Sequence, residues 1–158
     1  MSRIVHSWVL ARSDRAHSWA LLQEALESDI ADVQGGTTAE GIHVGAMAGT
    51  VDLVQRGQTE LEIQDDTLRL NPCLPEELRG LRLRVRYRGH WLVIDIGCER
   101  MTVSAPDGWT RPPRVVIRDA VYTFRAGERL DIPCHLEDGG WRPAPGEASL
   151  AGENRAEV

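Results

Sequence analysis

The chain has few cysteines, and they are badly placed for a shared structural role. Cys73, Cys98 and Cys134 are odd in number, lie far apart and form no C-x-x-C pair. This spacing supports neither a disulfide framework nor a zinc site, so we expect no metal and no cofactor. Reduced cysteines are typical of a cytoplasmic protein, and we expect that location.

Long apolar runs and an excess of positive charge are also lacking. The first residues show no secretion-signal pattern, and no apolar run approaches the roughly 20 residues that cross a bilayer. The formal net charge of −6 argues against a broad surface for nucleic acid or an anionic membrane. Any anion site must therefore be local.

The composition fits a globular protein of one ordinary domain or two small ones. Of the 158 residues, 42% are hydrophobic and 27% are charged, which suits a packed core and argues against disorder overall.

The first third of the chain predicts helices. Apolar residues 4–10 indicate a short helix, and residues 14–30 predict a second one, with Asp14 as its N-cap and Trp19, Leu22, Leu26 and Ile30 on one side. A third helix is predicted over residues 38–56, ended by Gly57 in the left-handed conformation. Gly45 and Gly49 within it indicate close approach of another element, because glycine costs about 1 kcal/mol against alanine inside a helix.

After Gly57 the hydrophobic period changes from that of a helix to that of a strand. In LRLRVRYR the apolar residues alternate with Arg82, Arg84, Arg86 and Arg88, which predicts a half-buried strand. Turn residues separate further predicted strands at 59–63, 67–70, 91–96, 101–104, 114–117 and 121–124.

These patterns predict an α+β protein: two to three helices, a small antiparallel sheet or sandwich, and a disordered tail. The predicted divisions are residues 1–57, 58–137 and 138–158, the last because glycine, proline, alanine and glutamate dominate it without periodicity. The helices expose more apolar surface than they can bury against each other. We therefore expect a missing partner and a chain that is truncated on its N-terminal side.

The segment GGTTAEGIH has the features of an anion-binding corner. Gly35 and Gly36 allow a tight turn, and Thr37 with Glu40 forms the T-x-x-E capping box at the start of a helix. Free backbone N–H groups and the positive end of the helix dipole favour an oxyanion there, and His43 lies one turn further on. The alternative is a well-capped helix without a ligand. A nucleotide loop is disfavoured, because G-K-[S/T] and a preceding strand are both absent.

At this point the residues resemble a known family. Residues 25–57, ALESDIADVQGGTTAEGIHVGAMAGTVDLVQRG, resemble the end of the catalytic domain of glycoside hydrolase family 65, which includes maltose, trehalose and kojibiose phosphorylases. Residues 68–96 resemble the start of that family's C-terminal β-domain. The resemblance extends from residue 1 to about residue 125.

The resemblance implies an (α/α)6 barrel followed by a β-domain. It also implies cleavage of an α-linked disaccharide by inorganic phosphate as co-substrate, with inversion and with a glutamic acid that protonates the leaving oxygen. The residues that match the family's phosphate site are Gly36, Thr37, Thr38 and His43. Ala39 occupies a position where many members have lysine, so hydrolase ancestry stays open.

The general-acid motif of the family lies upstream of the matched segment, and the chain offers no evident replacement. We therefore expect a C-terminal portion of such an enzyme that is inactive alone. Three origins stay open: a gene remnant, a truncated gene reading, or one half of a split enzyme that is completed by the missing catalytic-domain polypeptide. The rival hypothesis is a non-catalytic β-module that binds carbohydrate or a partner protein.

Other chemically suggestive residues have simpler interpretations. Asp29 and Asp32, at a predicted helix end, are interpreted as solvated or turn-bonded rather than catalytic. The arginine row is expected to pair with neighbouring carboxylates or to dock on the missing barrel. His90 and Trp91 are interpreted as packing residues.

Overall fold

The computed structural model describes residues 2–27, 44–106, 111–137 and 140–152. They belong to two compact units, Met1–Thr59 and Glu60–Val158, which we treat separately. The first is helical and the second is built from strands, as the predicted α+β class requires. No helix within the described ranges is long and apolar enough to cross a membrane.

The helical unit contains α1 (Ser2–Leu10), α2 (Arg15–Glu27) and α3 (Val44–Asp52), and a π-helical segment, Leu53–Gln58, continues from α3. Asp14 caps α2 as predicted, because its Oδ1 accepts a hydrogen bond from the backbone N–H of His17 at 3.1 Å. The predicted ends of α2 and the start of α3 fall partly outside the described residues.

The buried stripe of α2 differs from the predicted one. The buried residues are Ser18, Leu22 and Ala25, whereas Leu26, predicted to face inward, is 45% exposed. The small side chain of Ser18 lets α1 approach closely, since its hydroxyl reaches the backbone carbonyl of Ser7, and this shifts the packed face toward Ser18.

Gly57 does not end its helix in the left-handed conformation, so that prediction is wrong. It lies inside the π-helical segment, and the glycines with positive φ among the described residues are Gly89, Gly127 and Gly140. A Cβ at Gly57 would come within 2.7 Å of Leu53 Cδ1 and 3.5 Å of Ala11 Cβ. Close packing, rather than backbone conformation, explains this glycine.

The second unit consists of two sheets. The four-stranded sheet has the order β1-β2-β6-β7, from β1 (Glu62–Gln64), β2 (Thr67–Leu70), β6 (Arg114–Ile117) and β7 (Ala120–Thr123). The six-stranded sheet has the path β10-β8-β5-β4-β3 with β9 also paired to β8. Its strands are β3 (Gly80–Tyr87), β4 (His90–Gly97), β5 (Arg100–Ser104), β8 (Glu128–Glu137), β9 (Gly140–Pro143) and β10 (Ser149–Gly152).

One hydrophobic core joins the two sheets, as expected for a sandwich. Leu68 and Ile117 of the first sheet share this core with Leu92, Ile94 and Ile132 of the second. The alternation in β3 keeps its arginines on the opposite face. The predicted antiparallel arrangement holds for the described pairs except one, because β2 and β6 run parallel.

Residues 140–152, assigned from composition to the disordered tail, instead form β9, a 3-10 turn (Pro145–Glu147) and β10. The backbones of Leu74 and Trp141 exchange hydrogen bonds of 3.0 and 2.8 Å. The Tyr122 hydroxyl donates to the carbonyl of Pro145 at 2.7 Å. Residues 140–152 are therefore ordered by pairing with residues far away in the chain, although their composition has no strand signal. The prediction of a disordered tail is wrong for these residues. Residues 153–158 lie outside the described part.

Candidate functional site

The predicted phosphate ligands, Gly36, Thr37, Thr38 and His43, lie outside the described residues, and so do Asp29, Asp32 and Glu40. Their grouping stays a prediction. The structure does describe the helices on either side of this segment, α2 before it and α3 after it.

A reciprocal pair of serine hydrogen bonds holds α2 against α1. The Ser7 hydroxyl donates to the carbonyl of Ser18 at 2.6 Å, and the Ser18 hydroxyl donates to the carbonyl of Ser7 at 2.7 Å. Both side chains are fully buried, and their Oγ atoms are 3.0 Å apart. Serine is small enough to let the two helices approach this closely, and its hydroxyl can donate a hydrogen bond across the contact.

Glycine brings α3 close to α1. A Cβ on Gly49 would lie 3.0 Å from Ile4 Cγ2, whereas a Cβ on Gly45 would meet nothing within 4 Å. Close approach of another element, predicted from the two glycines, is therefore confirmed at Gly49, whereas at Gly45 no described residue approaches closely and the prediction stays open. As α3 also contacts α2, α1 and α2 together support the helix that follows the predicted phosphate segment.

The described carboxylates of the helical unit mostly have structural contacts. Asp14 caps α2, Glu24 pairs with Arg3 at 2.8 Å, and Asp52 pairs with Arg56 at 2.7 Å. A general acid needs a carboxyl group that is free to reach the leaving oxygen. These three are not arranged for that role.

Trp19 adds an unusual polar group to α2. Its indole Nε1 is buried and has no hydrogen-bond partner among the described residues. Buried donors are nearly always satisfied in folded proteins, so this N–H indicates a place where an acceptor is needed. Sequence reasoning assigned Trp19 to packing and missed this donor, for which the sequence has no signal.

In the strand unit, the arginine row of β3 is divided between two kinds of contact. Arg82 pairs with Asp95 across the sheet at 3.4 Å, and Arg88 pairs with Asp66 at 3.8 Å. The expected pairing with carboxylates is thus confirmed for these two. Arg84 instead stacks on Trp91, with its guanidinium carbon 5.1 Å from the ring centre. Trp91 is 47% exposed, and its interpretation as a packing residue holds for its contact with Arg84.

Burial changes the acidity of three groups in the strand unit. Burial, with a smaller contribution from Cys98, raises the pKa of the Cys134 thiol to about 11. Burial also raises the pKa of Tyr87 and of Tyr122 above the usual value near 10. A thiol with a raised pKa is a poor nucleophile at neutral pH, so Cys134 is a structural cysteine. The described residues contain no cluster of histidine, cysteine and carboxylate side chains that could hold a metal ion.

Comparison with known proteins gives one consistent result across both units. The model of the glycosyl hydrolase family 65 central catalytic domain matches residues 1–52, and the model of that family's C-terminal domain matches residues 61–134. The two matches follow each other along the chain and meet near the boundary between the units. This chain belongs to glycosyl hydrolase family 65.

Relatives and a solved structure agree with this membership. An uncharacterised glycosyl hydrolase of Mycobacterium tuberculosis is 44% identical over 134 residues, which cover 85% of this chain and 10% of that protein. Trehalose 6-phosphate phosphorylase of Lactococcus lactis is 35% identical over 83 residues, 51% of this chain and 11% of the enzyme. The chain thus spans about a tenth of the length of these relatives.

The fold is shared with a putative kojibiose phosphorylase from the human microbiome. The TM-score is 0.71 at 17% identity, and the match covers 83% of this chain and 18% of that chain. This likeness concerns the fold of the family 65 chain and not its substrate.

Proposed function

We propose that this family 65 chain supplies the phosphate-binding part of an inverting disaccharide phosphorylase. The observation that carries the proposal is the position of GGTTAEGIH within residues 1–52, the part matched by the central catalytic domain. The enzyme would cleave an α-linked disaccharide with inorganic phosphate as co-substrate, in carbohydrate metabolism.

Phosphate would be held by Gly36, Thr37, Thr38 and His43. The backbone N–H groups at a helix start donate to phosphate oxygens, and the positive end of the dipole stabilises their charge. The threonine hydroxyls and the imidazole add further donors. The Ala39 side chain supplies no hydrogen-bond donor. This site therefore depends more on backbone and neutral donors than a site with lysine at that position does.

The packing of the described helices supports a fixed anion site. Ser7 and Ser18 hold α2 on α1, and Gly49 brings α3 onto Ile4. Segment 28–43 therefore connects α2 and α3, two helices that both pack on α1. Anion binding by backbone donors benefits from such support, because donors that are already oriented need little reorganisation.

The reaction also requires a general acid. An oxygen of phosphate would attack the anomeric carbon from the face opposite the glycosidic oxygen, and the glycosidic bond would break as that oxygen takes a proton. Asp14, Glu24 and Asp52 have structural contacts. We infer that the acid and the sugar pocket come from another polypeptide segment and that the 158 residues alone do not turn over substrate.

One face of α1 suits contact with that segment. Val5, Trp8 and Val9 lie at helical spacing and are 54%, 50% and 67% exposed. An apolar face of this kind on a helix that matches a catalytic domain is the expected contact for further catalytic-domain helices. We also propose a cytoplasmic location, because Cys73, Cys98 and Cys134 form no disulfide with one another.

Activity measurements test the inactive-alone part of the proposal. The chain is incubated with phosphate and with maltose, trehalose or kojibiose, and release of sugar 1-phosphate is followed. We expect no turnover. Turnover well above that of a His43→Ala control would contradict the inference that the general acid is supplied from outside these residues.

Phosphate binding tests the ligand assignment independently of turnover. Titration with inorganic phosphate, followed by amide chemical shifts, should give saturable shifts with a dissociation constant on the order of 1 mM. Thr38→Val and His43→Ala should each weaken binding at least tenfold, whereas His6→Ala, an exposed histidine on α1, should not change it. Equal binding by all four proteins would refute the assignment.

A further inference from the structure

The outer face of the six-stranded sheet has an uneven charge pattern. In β3 the arginines at positions 82, 84 and 86 are exposed, whereas Leu81, Leu83 and Val85 are at least partly buried. The strand thus places three cations in a line, about 7 Å apart at two residues per step.

Carboxylates compensate the ends of this line. Asp95 stands directly opposite Arg82 in β4 and pairs with it at 3.4 Å. At the hairpin turn, Arg88 has Asp66 as its partner at 3.8 Å. These two pairs neutralise the positive charge at both ends of the row, so the uncompensated stretch is too short for a long polyanion.

The middle of the line is different. Val93 stands opposite Arg84, and Ser104 stands opposite Val93 on the next strand. Trp91 stands opposite Arg86. None of these neighbours is a carboxylate, and Arg86 has no hydrogen bond or ion pair with the residues that the structure describes. Arg84 and Arg86 therefore lie side by side, and neither forms an ion pair with a described residue.

The contact between Arg84 and Trp91 prepares one of these cations for a ligand. A guanidinium group stacked on an aromatic ring keeps its N–H donors in the guanidinium plane, where they can reach an oxyanion. Stacking also restricts the side chain and reduces the entropy lost when a ligand binds. The indole remains 47% exposed after this contact.

We propose that Arg84, Arg86 and Trp91 form a surface site for a phosphorylated sugar. The two guanidinium groups bind the phosphate, since paired arginines suit the geometry of phosphate oxygens. The apolar face of the sugar ring packs on Trp91 and Val93, and the Ser104 hydroxyl lies on the same rung as a donor or acceptor. The net charge of −6 and the compensated ends of the row favour a small anion over a nucleic acid.

This site is separate from the proposed phosphate loop and does not depend on it. The loop belongs to residues 1–52, and the surface site belongs to the C-terminal domain match at 61–134.

An NMR titration of the full chain carrying His43→Ala tests the surface site. The probes are glucose 6-phosphate, inorganic phosphate and glucose, and the signals are backbone amides and arginine Nε–H groups. Glucose 6-phosphate should give saturable shifts in β3 and β4, and phosphate or glucose alone should bind at least fivefold more weakly. Arg84→Gln with Arg86→Gln should abolish the shifts, and Trp91→Ala should weaken binding at least threefold.

The control is Arg69→Gln, which removes an exposed arginine of the four-stranded sheet and should leave the titration unchanged. Unchanged core amide signals verify that each variant is folded. The proposal is overturned if the double arginine variant binds like the parent, if no saturable shift appears in β3 and β4, or if glucose 6-phosphate binds no better than phosphate. Tighter binding of a single-stranded RNA than of glucose 6-phosphate would also overturn it.

Discussion

Ser7 and Ser18 satisfy each other across the α1–α2 contact, each hydroxyl donating to the main-chain carbonyl of the other residue. The two helices that precede the predicted phosphate segment are therefore joined by a buried polar contact in addition to apolar packing. The contact is specific to serine, because a larger side chain would separate the helices and alanine would lose the donors.

The serine pair yields a stability prediction. Ser7→Ala and Ser18→Ala should each lower the free energy of unfolding of the helical unit by about 1 kcal/mol, the usual net contribution of a buried hydrogen bond. Urea unfolding followed by circular dichroism at 222 nm measures this, since the strand unit contributes little there. Ser13 is exposed, so Ser13→Ala serves as the control. If Ser13→Ala lowered the free energy of unfolding as much as Ser18→Ala does, the assignment of the stabilisation to the serine pair would be contradicted.

The two glycines of α3 form a matched pair. Gly45→Ala meets open space and should stabilise the helix by up to about 1 kcal/mol. Gly49→Ala should gain less, because its Cβ would lie 3.0 Å from Ile4 Cγ2, and Gly49→Val should be destabilising. Thermal unfolding at 222 nm tests the order. If Gly49→Ala gained as much as Gly45→Ala, α3 would not be packed closely on α1.

Gly140 should be the most sensitive of the described glycines in the strand unit. Its φ is +135°, and a Cβ there would come 1.9 Å from the carbonyl oxygen of Leu74. Gly140→Ala should therefore destabilise the unit by about 3 kcal/mol or more, through strain and a backbone clash. Urea unfolding followed by tryptophan fluorescence measures the change. Gly146→Ala, which meets nothing within 4 Å, should have little effect.

Alkaline pH should weaken the strand unit through Cys134. Its pKa of about 11 in the folded state exceeds the ordinary thiol value of 9.0. Burial thus stabilises the protonated form, and the associated stability is fully present below pH 9 and is lost as the pH rises toward 11. The urea midpoint should fall over this range. Cys134→Ala should show a smaller fall, with Tyr87 and Tyr122 accounting for the remainder, since their raised pKa values act in the same direction.

The sequence by itself determined the features that depend on local chemistry. The alternation at 81–88 predicted β3, because a side-chain period of two allows one buried face only in a strand. Asp14 predicted the start of α2, because an N-cap side chain bonds to a backbone N–H only three residues further along. The segment GGTTAEGIH led to the family, which two separate matches confirm, while its four ligand residues stay a prediction.

Only the tertiary structure decided the features that depend on residues far apart in the chain. The parallel pairing of β2 with β6, the ordering of residues 140–152 through Leu74, and the buried face of α2 all depend on such contacts. The same holds for the arginine row, because the register of β3 and β4 places Asp95 opposite Arg82 and Trp91 opposite Arg86. Periodicity shows which face of a strand is exposed, but the charge that remains there is set by the neighbouring strand.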